Sequence, residues 1–153
     1  MNIGIIVYSQ TGHTKSLAEQ LKEALKEKGH SAGIEEITIS GEASPGKFQM
    51  TAIPSVDGYD ALIFGAPVHG FKLSSVMEAY LQQMPDLKGK EVALLVTKQL
   101  PFLWTGGTGA NNTMKQICQE KNAHVKGAEV AIWSDKKREA SVRKCVRKIS
   151  DLF

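Results

Sequence analysis

Only two cysteines, Cys118 and Cys145, occur in the chain, far apart and with no export signal ahead of them, so both are read as reduced thiols. No apolar run approaches the roughly 20 residues needed to cross a bilayer, so no membrane partner is expected. The start is equally plain. Met1-Asn2 leads straight into Ile3-Gly4-Ile5-Ile6-Val7-Tyr8, with no basic stretch before it and no small-residue cleavage site after it. A signal peptide is therefore not expected, and the expected location is cytoplasmic. Aromatic residues are sparse at 7% and charged ones ordinary at 23%, which argues against disordered and membrane classes.

There is no excess of acid either. The formal net charge is +3, and residues 135–153 alone carry seven basic side chains against three acidic ones. The rest of the chain is close to neutral, so the basic character belongs to the C-terminal segment. No aromatic or glycine interleaving accompanies those charges, which favours a solvated helix face over a nucleic-acid surface. What is present in quantity is apolar sequence, 42% of 153 residues, enough for one substantial core and one domain over 1–153.

Short apolar runs alternate with longer stretches of helical period, the pattern of parallel strands joined by covering helices in an α/β fold. Strands are expected at Ile3 to Tyr8, Asp60 to Gly65, Glu91 to Thr97 and Ala128 to Trp133, with a weaker edge strand near Ala32 to Ile37. Helix faces follow each: Leu17, Ala18, Leu21 and Leu25; Leu73, Val76, Met77, Tyr80, Leu81 and Met84; Met114, Ile117 and Cys118; Val142, Cys145, Val146, Ile149 and Leu152. Ser134 or Asp135 is placed to cap the last helix. Both cysteines fall on these stripes, which makes them small core fillers. Residues 38–57, with Ser40, Gly41, Pro45, Gly46 and Pro54, are expected to form a long loop with one helical turn around Gly46 to Thr51.

Three loops at strand ends carry the chemistry. Ser9-Gln10-Thr11-Gly12-His13-Thr14 offers three hydroxyls, a glycine and free N–H groups at a helix start, a cradle of neutral donors for a phosphate. It has neither the lysine of a P-loop nor the glycine spacing of a dinucleotide fingerprint, so ATP, GTP and a Rossmann-type NAD site are disfavoured. His13 is expected to be exposed. Gly65-Ala66-Pro67-Val68-His69-Gly70-Phe71-Lys72 leaves the third strand through a stiff proline and a permissive glycine. Residues 97–109 form a glycine-rich loop with Thr97, Lys98, Gln99, Phe102, Trp104, Gly106 and Gly107.

Ser9-x-Thr11-Gly12-x-Thr14 after an apolar first strand resembles the FMN phosphate loop of flavodoxins, and the other two loops match that family by position. The resemblance covers nearly the whole chain and is to the short-chain members, because the fifth strand lacks a long insertion. It implies a three-layer doubly wound sandwich whose five-stranded parallel sheet has the order 2-1-3-4-5, with the cofactor at the switch point. It implies FMN binding by Ser9 to Thr14, by Pro67, Val68, His69, Gly70 and Phe71, and by the third loop, where Phe102 or Trp104 would cover the ring. In the family a peptide of the second loop reorients toward the reduced flavin N5; here that falls on Val68 to Gly70. The implied function is low-potential electron transfer with redox partner proteins, the protein acting as a monomer. An NAD(P)H-dependent FMN or quinone reductase of the same fold is the alternative, suggested by Lys98, His69 and the positive charge. Many family members carry an acidic, tyrosine-containing third loop, and this chain departs from that with Lys98 and no acid.

Overall fold

The computed structural model describes residues 1–99, 106–134 and 138–153; Phe102, Trp104 and Asp135 lie outside them. The chain opens with β1 (Asn2–Val7), buried from Ile3 onward. It is followed by α1 (His13–Glu27), whose Leu17, Ala18, Leu21 and Leu25 are buried at helical spacing. Next come β2 (Ser31–Glu36), β3 (Thr38–Gly41), β4 (Phe48–Ala52), β5 (Ala61–His69) and the two-residue β6 (Lys72–Leu73). The second half holds α2 (Ser75–Gln83), β7 (Glu91–Lys98), α3 (Gly107–Glu120), β8 (His124–Ile132) and α4 (Arg138–Ser150).

The main sheet runs β2-β1-β5-β7-β8, all parallel. Counted as the parallel strands alone, this is the expected order 2-1-3-4-5. Residues 3–7 of β1, 61–68 of β5 and 92–96 of β7 are apolar without interruption because helices cover both faces of these central strands. One face packs Ile3, Ile5, Ile63 and Leu95 under α1 and α4; the other packs Ile6, Leu62, Phe64 and Leu94 under α2 and α3. Each such fully buried side chain contributes about 1.5–3 kcal/mol relative to exposure. Cys118 and Cys145 are buried thiols, one in each of these layers.

Residues 38–57 differ from expectation. In place of a loop with a helical turn they form an antiparallel hairpin, β3 with β4, pairing Ile39 with Met50 and Gly41 with Phe48. Its period is two: Ile39, Phe48 and Met50 lean on the core while Ser40, Gln49 and Thr51 face water. The Thr38 and Thr51 hydroxyls meet at 2.7 Å. The hairpin thus takes the covering position that a helix would hold in strict alternation. Two boundaries also move. β5 extends to His69 because β6 turns back on it, and β8 begins at His124, in a half that alternates exposed and half-buried residues.

Candidate functional site

The C-terminal ends of β1, β5 and β7 converge at the point where strand order reverses, the position at which open α/β sheets bind ligands. The β1–α1 loop is held from inside. The Ser9 hydroxyl oxygen accepts from the main-chain N–H of Gly12 at 3.1 Å and of Lys15 at 3.3 Å, fixing the start of α1. The main-chain N–H groups of Gln10, Thr11, His13 and Thr14 have no acceptor among the described residues. Four such donors at the positive end of a helix are suited to an anion without any basic side chain. Thr14 is buried and pairs its hydroxyl with that of Thr97 at 3.0 Å, tying the cradle to β7.

His13 is half-buried, where exposure was expected. Its ring stacks on Trp133, centroids 4.6 Å apart and planes at 16°, and its Nδ1 lies 3.2 Å from Gln99 Nε2. Trp133, directly after β8, reaches the first loop across the end of the sheet. Sequence spacing held no signal for this contact beyond an aromatic residue at a strand end.

The second loop is a tight turn. Val68 pairs with Leu73 and His69 with Lys72, leaving Gly70 and Phe71 as the two central residues, with φ of 53° and 64°. Positive φ at both positions is the signature of a primed hairpin turn; glycine accepts it freely and Phe71 does so at a cost of about 1–3 kcal/mol. The third loop ends against this turn. At Gly106, which has φ 97°, an added Cβ would fall 2.1 Å from the Phe71 carbonyl oxygen, so the start of α3 closes directly on the second loop. Gly107 packs on Val130 and along the Lys98 stem. Burial lowers the Lys98 pKa from its ordinary value.

Between the loops lies a cleft of ≈ 160 Å³. Gln10, Thr11 and His13 line it from the first loop, Pro67, Val68 and His69 from the second, and Thr97, Lys98 and Gln99 from the third. Of the three hydroxyl-bearing residues in the first loop, Thr11 is among the described lining residues, whereas the Ser9 and Thr14 hydroxyls bond to the protein itself. No carboxylate is among the described lining residues, which suits an anion. A second cleft of ≈ 710 Å³, unforeseen from sequence, lies between the β3–β4 hairpin and the second loop. The two share Gln10, Val68 and His69 as a common wall. A groove of ≈ 680 Å³ between α1 and α4, lined by Glu19, Glu23, Arg143 and Arg147 among others, has no strand-end loop among its described lining residues. The described residues hold no cluster of potential metal ligands and no helix long and apolar enough to cross a membrane.

A doubly wound α/β sandwich with a cleft built from three loops at its switch point defines the class. Residues 4–131 match the family model of the flavodoxin domain. The chain is 27% identical over 131 residues to the flavodoxin of Megasphaera elsdenii, covering 84% of each. A short-chain flavodoxin associated with a non-canonical PDU bacterial microcompartment superposes with a TM-score of 0.74 at 14% identity, over 99% of this chain and 95% of that one. Oxidised flavodoxin 1 of Bacillus cereus gives 0.69 at 21% identity, over 99% and 97%. This chain belongs to the flavodoxin family.

Proposed function

We propose that the cleft holds FMN and that the protein carries electrons at low potential between redox partner proteins. The observation that carries this reading is the cradle of main-chain N–H groups at Gln10, Thr11, His13 and Thr14, which have no acceptor among the described residues and stand at the switch point of a flavodoxin-family sheet. Neutral donors and a helix start suit a phosphate monoester, and the absence of a lining carboxylate among the described residues removes the main repulsion. The fit extends to the second loop, whose turn at Gly70 leaves open space where a Cβ would stand.

When bound, FMN supplies reversible one- and two-electron chemistry, and the chain sets how readily that charge is accepted. Ser9 holds the cradle in shape. Pro67 and Val68 line one wall with apolar surface, which disfavours added negative charge and lowers the potential. Phe102 and Trp104 remain the candidates to cover the ring, on the family resemblance. The test is a titration of the apoprotein with FMN and with riboflavin, followed by flavin fluorescence. Quenching by FMN with much weaker riboflavin binding is expected; no quenching by FMN would overturn the reading.

A further inference from the structure

We infer, resting on the FMN reading above, that the His69 imidazole takes up a proton when the cofactor in the cleft is reduced, so that the site's net charge stays constant. His69 closes β5 and, among the described residues shared by the two clefts, is the titratable one; the others are Gln10 and Val68. It is half-buried, and neither of its ring nitrogens has a hydrogen-bond partner among the described residues. One side of the wall faces the anion cradle. The other faces the ≈ 710 Å³ cleft under the β3–β4 hairpin, through which water can reach the ring.

The surrounding charges leave this ring as the group free to respond. From α1, His13 is engaged with Trp133 and Gln99. From β7, Lys98 lines the same cleft. On the neighbouring β6, Lys72 pairs in register with His69 and is exposed to solvent. Tyr8, after β1, and Glu42, from the hairpin, line the second cleft, and Glu42 lies 3.9 Å from Lys47. With no anion bound, burial lowers the His69 pKa from its ordinary value. An added negative charge in the cleft favours the imidazolium. In the step, a reductant such as dithionite supplies two electrons to the flavin, one proton from water forms the N5–H bond of the reduced ring, and a second binds the free lone pair of the imidazole, so two electrons are matched by two protons.

The experiment measures Kd for oxidised FMN and for dithionite-reduced FMN from about pH 5.5 to 8.5, in the wild type, His69→Gln and His69→Lys. For the wild type, the ratio of reduced to oxidised Kd is expected to rise with pH by about tenfold more than it does for His69→Gln, one unit of pKa shift being tenfold. His69→Lys should keep a low ratio across the range. A His69→Gln profile that overlays the wild type would overturn the inference while leaving FMN binding intact; failure of the wild type to bind oxidised FMN would overturn the FMN reading instead. Imidazole proton NMR of the wild-type holoprotein gives a check free of variants: the His69 pKa must be higher in the reduced than in the oxidised protein, and equal values overturn the inference.

Discussion

The side-chain oxygens of Thr14, on α1, and Thr97, on β7, lie 3.0 Å apart with both residues buried, so a single hydroxyl pair fastens the start of α1 to the centre of the sheet. Replacing either residue by valine keeps the shape but strands the other hydroxyl in the core, at a cost of about 1–3 kcal/mol. Replacing both removes the unpaired group, so Thr14→Val/Thr97→Val is expected to be more stable than the two single losses added together. Urea unfolding of the four proteins measures the coupling, and simple additivity would refute it.

At Gly106 the positive φ and the Phe71 carbonyl 2.1 Å from any added Cβ leave no room for a side chain. Gly106→Ala must push the second loop's turn away from α3, with an expected loss of about 1–3 kcal/mol and weaker FMN binding. Gly109 makes the control, because it lies inside α3 with nothing within 4 Å of an added Cβ. Gly109→Ala should gain about 0.4–1 kcal/mol, because alanine accepts the helical backbone of this first-turn position without strain and narrows the unfolded ensemble. Thermal unfolding and FMN titration of both variants decide the matter; a harmless Gly106→Ala would contradict the packing.

What the sequence disclosed follows physical range. β1, β5 and β7 were legible because strands buried on both faces are written as unbroken apolar runs, and α1 because Leu17, Ala18, Leu21 and Leu25 repeat at helical spacing. The three loops were legible because hydroxyls and glycines gather at strand ends. The hairpin was not. β3 and β4 have four and five residues, half-buried and separated by Pro45-Gly46, so a period of two had too few turns to show. The His13–Trp133 stack joins residues 120 positions apart and could come only from the folded sheet. The partition of the first loop's hydroxyls, Thr11 lining the cleft and Ser9 and Thr14 bonding internally, also depends on where β7 passes.

Both thiols should be inert in the native protein. Burial pushes Cys118 up to about 12, and burial with the nearby Glu129 carboxylate pushes Cys145 up to about 12. At neutral pH the nucleophilic thiolate is scarce and sterically shielded. Reaction with a thiol reagent is expected to follow global unfolding, yielding two thiols in denaturant and almost none without it. Rapid labelling of the native protein would show that α3 or α4 opens locally.

The Tyr59 hydroxyl donates to Glu35 Oε2 at 2.6 Å, and its ring lies over Gly4, where an added Cβ would meet it at 2.6 Å. It thereby crosses β1 to reach β2. The hydrogen bond to Glu35, then partial burial, then the Glu35 charge raise the Tyr59 pKa from 10.0 to about 12. A pKa raised on folding stabilises the native state while the group is protonated in both states. That contribution is whole below pH 10.0 and is lost as the pH climbs through about 12. Tyr59→Phe keeps the ring on Gly4 but removes the titrating hydroxyl, so its fall in urea midpoint over this alkaline window should be shallower than that of the wild type. If the two alkaline profiles coincide, the Tyr59–Glu35 bond contributes nothing to holding β2 on the sheet.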